Sequence, residues 1–132
     1  MPRPQKFVFY LIDEFAHLSF SCAIEPLRIA NLVSGKTLYE WSFASENGET
    51  ALSSNGTVVR VHAGFDARVK ADRLFLLSGL NMRAHISRPL LSALRRERSH
   101  GTPLGALCSG AYIFAYAGLL VGMRGAIHWA YH

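Results

Sequence analysis

The sequence predicts an α/β domain: a mostly parallel sheet with helices on both faces. Three observations lead there. Apolar runs without alternation, at residues 7–12, 74–77 and 103–107, have the character of strands buried on both sides. Segments with helical spacing separate them, and strand alternating with helix favours parallel strands joined by crossovers. Small-residue pairs, Ser78-Gly79 and Ser109-Gly110, follow two of the runs, where a chain must turn sharply from strand to helix.

Taken in order, Phe7, Val8, Phe9, Tyr10, Leu11 and Ile12 lie between Lys6 and Asp13, and a run apolar on both faces predicts the central strand. Residues 18–33 carry Phe20, Ala23, Ile24, Leu27, Ala30 and Leu32 at helical spacing, with Ser34-Gly35 as the stop and Ser19 as the expected N-cap. Residues 40–44 read as a second strand and 57–61 as a short extended segment, with turn dipeptides at Asn47-Gly48 and Asn55-Gly56. Residues 73–77 make a third buried strand. The loop Ser78-Gly79-Leu80-Asn81 after it is small enough to present backbone amides. A helix is expected from there to about Ser99, with an apolar stripe of Leu90, Leu91 and Leu94, and His100-Gly101 ends it. Residues 102–107 form the next strand, 112–117 a helix, and Gly118, Gly122 and Gly125 break the chain before a last strand near Ala126-Ile127.

Composition bounds the function classes. A chain of 132 residues with 50% hydrophobic and 17% charged residues makes one domain with one core, and no repeat or low-complexity linker divides it. Its apolar runs are far shorter than the roughly 20 residues of a membrane span. The basic start, Pro2-Arg3-Pro4-Gln5-Lys6, lacks the small-residue cleavage site of a secretory signal, so a cytoplasmic protein with no membrane partner is expected. Cys22 and Cys108 lie in unlike contexts without metal-type spacing, so neither a disulfide framework nor a metal site is expected. The net charge of +5 is concentrated at Arg83, Arg88, Arg95, Arg96 and Arg98; without interleaved aromatics these read as a solvated helix face rather than a nucleic-acid surface.

The chemistry gathers at residues 104–128. An apolar strand ends in Ala106-Leu107-Cys108-Ser109-Gly110, and His128 follows twenty residues after the cysteine. The pattern is that of a nucleophile elbow with alanine at the first glycine position. A side chain at such a turn is pushed out at the end of the sheet, where the following helix N-terminus favours the thiolate. The alternative is a buried, inert thiol, the commoner fate of a lone cysteine.

These residues resemble the ThiJ/PfpI superfamily, a flavodoxin-like branch of the class I glutamine amidotransferase-like fold. More narrowly, the chain resembles the N-terminal sensor domain of GlxA-type transcriptional regulators of the AraC family. The likeness rests on Ala23-Ile24-Glu25-Pro26-Leu27-Arg28-Ile29-Ala30-Asn31, Tyr39-Glu40-Trp41, Ser54-Asn55-Gly56, Leu107-Cys108-Ser109-Gly110-Ala111, Ala117-Gly118-Leu119-Leu120 and Ile127-His128-Trp129. The resemblance implies a doubly wound sheet that is C-terminally incomplete here, a truncated sensor domain over 1–132, and DNA contact only through a helix-turn-helix domain absent from this chain.

In catalytic members of the superfamily an acid contacts the elbow cysteine; by the resemblance that position is Ser19, which has no carboxyl group to orient a thiol. Glu25 lies one and a half helical turns further on, and Asp13 and Glu14 qualify only if their loop folds back. The resemblance therefore implies ligand sensing rather than catalysis, with Cys108 and His128 as vestigial or weak catalytic residues. Ser19, Gly79, Cys108, Ser109, His128 and Trp129 are the expected contacts for a small effector such as an amino acid or quaternary amine. Phe15, Trp41, Tyr112 and Trp129 are aromatic candidates for a cation cage. A homodimer is expected and no cofactor. Two alternatives stay open: a cysteine-dependent hydrolase or deglycase, and a thiol redox sensor.

Overall fold

The computed structural model describes residues 3–79, 81–107 and 113. Strand β1 (Gln5–Leu11) is followed by helix α1 (His17–Ser34), β2 (Tyr39–Ser45), β3 (Thr50–Leu52), β4 (Val58–Arg60), β5 (Ala63–Gly64) and β6 (Arg73–Leu77). A 3-10 turn (Met82–His85), helix α2 (Arg88–Ser99) and β7 (Leu104–Leu107) complete the described elements. Five strands form one parallel sheet in the order β5-β2-β1-β6-β7, and β3 and β4 pair separately as an antiparallel hairpin.

β1 is the central strand, as its two-sided apolar character predicts. Its registers, Gln5 opposite Tyr39 and Leu11 opposite Leu77, bring the carboxyl ends of β1, β2 and β6 to one edge. Alternate residues of the sheet feed two cores. On one face Val8, Tyr10, Ile12, Leu74 and Leu76 pack with Met82, Leu90, Leu94 and Ile113. On the other, Phe9, Leu11 and Leu77 meet Phe20, Ala23, Ile24 and Leu27 of α1, together with Trp41 and Phe75. α1 and α2 thus cover opposite faces of the sheet, which makes the fold doubly wound.

Helix α1 starts earlier than expected, and Ser19 is not its N-cap: Ala16 holds that position and caps with no side chain. The cause lies upstream. The Phe15 carbonyl accepts a hydrogen bond from the Ser54 N–H at 2.8 Å, fixing the chain beside the hairpin so that it enters the helix at once. At the other end Asn31 joins α1 to β2, its Oδ1 accepting from the N–H groups of Leu38 and Tyr39.

The hairpin was legible as its turn chemistry and one of its two strands. Both turn dipeptides form, with Gly48 at φ 75° and Gly56 at φ 90°, and the expected extended segment at 57–61 becomes β4. Its partner β3 and the two-residue β5 carry no apolar signal of their own. The single helix expected before Ser99 is broken in two, because Ser87 caps α2 by accepting from the Leu90 N–H and Pro89 occupies the first turn.

The arginine-rich face of α2 is only partly a solvated face. Arg88, Arg95 and Arg98 are exposed, but Arg96 turns inward. With Arg68 it brackets Glu97, which is buried, at 3.0 and 3.2 Å, and the Thr102 hydroxyl donates to the other Glu97 oxygen. A buried carboxylate needs such compensation, so charge is drawn from the surface into the core edge. Among the described residues no helix is long and apolar enough to cross a membrane.

Candidate functional site

The sheet order sets the site. The chain leaves β1 toward β2 on one side, while β6 and β7 continue on the other, so the topological switch point lies between β1 and β6. Loops diverge there and leave a crevice beyond the carboxyl ends of the strands. Two segments form its walls: residues 12–16 after β1, and residues 78–85 after β6.

The first wall is tied to the hairpin. Asp13 Oδ1 accepts from the Leu52 N–H at 2.9 Å, the Glu14 N–H donates to the Leu52 carbonyl at 2.6 Å, and Phe15 bridges to Ser53. Between these anchors Glu14 adopts φ 69°, and it is the sole non-glycine residue with positive φ among those described. A left-handed backbone costs a residue with a Cβ roughly 1–2 kcal/mol. This turn sends the carboxylate across the crevice: Glu14 Oε2 accepts from Asn81 Nδ2 at 2.8 Å and lies 2.8 Å from His85 Nε2. The hydrogen bond with His85, then that from Asn81, hold the Glu14 carboxyl below the usual carboxylate range.

The second wall begins with Ser78-Gly79, as expected for a small-residue loop. Gly79 is required by close approach: a Cβ there would collide with the Glu14 carbonyl oxygen and stand 3.4 Å from the Phe15 Cα. Ser78 is fully buried, and its Oγ has no hydrogen-bond partner among the described residues. Beside the crevice a cavity of about 180 Å³ is lined by Asp13, Glu46, Phe65, His85 and Ser87 among others.

Two expected site residues can be placed. Gly79 stands in the crevice wall against the β1 loop. Ser19 is half-buried on the first turn of α1, at the same edge of the sheet. Glu25 is exposed on α1 and pairs with Arg28, so it does not replace the missing acid. The β1 loop does fold back, but the carboxylate it brings in is Glu14, directed to Asn81 and His85. Phe15 is fully buried, so it offers no face to a cation cage, while Trp41 is half-buried and packs against the same core. Cys108, Ser109, Tyr112, His128 and Trp129 lie outside the described residues. The strand expected to lead to the elbow is present as β7, whose Leu107 pairs with Leu77 beside Ser78.

Sequence reasoning missed the role of Glu14 and His85. No motif marks them, and the one available signal was Asp13-Glu14 directly after the central strand, at the edge where ligands bind in such sheets.

No family model matches the chain. The HTH-type transcriptional regulator GbdR of Pseudomonas aeruginosa (strain UCBPP-PA14) is 35% identical over 127 residues, 96% of this chain and 35% of the regulator. The HTH-type transcriptional regulator GlxA of Rhizobium meliloti (strain 1021) is 32% identical over 95% of this chain and 39% of its own length. The chain therefore spans little more than a third of these curated relatives. Among solved structures, an AraC family transcriptional regulator from Pseudomonas putida superposes with a TM-score of 0.84 at 28% identity, covering 96% of this chain and 68% of that one. DJ-1beta of Drosophila melanogaster, at 21% identity and a TM-score of 0.72 over 89% of this chain and 62% of its own, shares the fold.

Proposed function

We propose that this chain, which has the DJ-1/ThiJ/PfpI fold and is related to AraC-family HTH regulators, is a ligand-sensing domain that binds a small effector in the crevice between β1 and β6. One observation carries the reading: similarity to HTH-type transcriptional regulators extends over 96% of the chain. DNA is then read by a separate helix-turn-helix domain, in the cytoplasm, and the active species is a homodimer. The effector is an amino acid or a quaternary amine, with Ser19, Gly79, Cys108, Ser109, His128 and Trp129 as its contacts. The presence of Ser19 where an acid would orient the thiol favours sensing over turnover.

A thermal-shift panel of amino acids and methylated amines tests this reading. A ligand at 100 times its Kd is expected to stabilise the domain by about 2.7 kcal/mol. A flat response across the panel overturns it. Unchanged ligand binding with loss of a hydrolytic or deglycase activity in Cys108→Ser would instead establish the enzyme reading, and sulfenic acid at Cys108 after mild peroxide the redox one.

A further inference from the structure

We propose that Glu14 is a positioning residue for the crevice: from its left-handed backbone it grips the far wall through its carboxylate, so that its ionisation sets where the Gly79 backbone sits. The inference rests on the crevice being the ligand site.

Three contacts of one residue support it. The Glu14 N–H is held by Leu52 of the hairpin, its carbonyl bears directly on Gly79, and its carboxylate takes Asn81 and His85 on a single oxygen, Oε2. Backbone and side chain thus bear on the same opposing wall from two directions. Glycine would hold φ 69° without strain, so the carboxylate is what this residue type adds at the position. Both bonds fall on Oε2, so they are charge-assisted while the carboxylate is ionised and weaken to neutral bonds, roughly half as strong, once Oε1 takes a proton. Protonation of Glu14 therefore loosens the grip, and Gly79, packed against the same residue, moves with it.

The surrounding charged groups come from four elements. Asp13 precedes Glu14, and its Oδ1 is already engaged by the Leu52 N–H. Glu46, past the end of β2, shares the adjoining cavity with Asp13 and His85 and accepts from the Ser87 hydroxyl. Arg83 and His85 stand on the 3-10 turn, and His17 opens α1. Among the described residues His85 is in contact with the Glu14 carboxylate as a charge partner, and that contact is strongest where Glu14 is ionised. It weakens as pH falls through the lowered Glu14 value.

The test is a pH titration of isotope-labelled protein by NMR, following the Glu14 carboxyl carbon, the His85 ring and the Gly79 amide without ligand. The Gly79 amide is expected to shift with the midpoint of Glu14, below the usual carboxylate range. Glu14→Gln should abolish that acid-range shift. A Gly79 amide that ignores the Glu14 midpoint, or moves identically in Glu14→Gln because Asp13 or Glu46 drives it, overturns the proposal. Glu14→Gly separates positioning from scaffolding: melting at or above the wild-type temperature with the Gly79 shift lost supports positioning, and a lower melting temperature with the shift retained overturns it. Because no ligand enters this experiment, its failure leaves the sensing reading standing, and a flat ligand panel leaves the coupling measurable.

Discussion

Residue 79 shows how a single backbone contact builds this crevice. The Glu14 carbonyl occupies the space where any side chain at 79 would begin, and main-chain atoms cannot swing aside as a flexible side chain would. Gly79→Ala must push the two walls apart. Overpacking of this kind costs typically about 1–3 kcal/mol, and we expect a loss at the upper end because the obstructing atoms are backbone on both sides. Urea unfolding of the variant measures it; a loss below about 0.5 kcal/mol, the range of a neutral surface change, would show that the walls are not in register. Glu14 makes the complementary point: its geometry had no sequence signature, since a positive φ at a non-glycine residue is imposed by contacts with Leu52 and Gly79 that are remote in the chain.

At the level of elements, the buried Glu97 joins parts that the sheet alone does not. Its carboxylate receives Arg96 from its own helix, Arg68 from the β5–β6 connection and Thr102 from the approach to β7, and Arg96 also reaches the Tyr10 hydroxyl of the central strand. Removing the acid takes the common partner from Arg68, which is more than a third exposed, and from Arg96, which keeps the Tyr10 hydroxyl and the Phe65 and Asp66 carbonyls. Glu97→Ala is expected to destabilise by about 1.5–3 kcal/mol, the range for hydrogen bonds to charged groups. Chemical denaturation checks it, and a change below about 1 kcal/mol would mean that the arginines find water without cost. This network explains why Arg96 departs from the solvated face that the arginine-rich segment otherwise forms. Helical spacing located α2 and its Leu90 and Leu94 stripe, but it does not show that a carboxylate one residue from Arg96 lies inside. Similarly, α1 was found from its period, while its first residue was set by the hairpin holding Phe15.

For the whole molecule, the outward face of α1 is the surface on which we expect a second copy to dock. Leu18, Leu32 and Val33 are 76%, 72% and 80% exposed, and Cys22 and Ile29 lie on the same side of the helix. The pattern is self-complementary: in an antiparallel pairing with a second copy, Leu18 meets Val33 and Cys22 meets Ile29, as an isologous contact requires. The Glu25–Arg28 pair near the midpoint leaves that face without net charge. We expect sedimentation velocity to show a dimer that Leu32→Lys dissociates; a wild-type monomer at all concentrations, or a dimer indifferent to Leu32→Lys, would refute this pairing. The sequence by itself determined the architecture: two-sided apolar runs and helical spacing specify a parallel sheet with β1 at its centre and helices on both faces, because burial of apolar side chains follows a period that the chain carries locally. It also marked the carboxyl edge as the candidate ligand edge through Ser78-Gly79. Only the tertiary structure decided which groups meet there. Glu14, Asn81 and His85 are separated by as many as 71 residues, and the turn of backbone that joins them is imposed by neighbours that the local pattern does not encode.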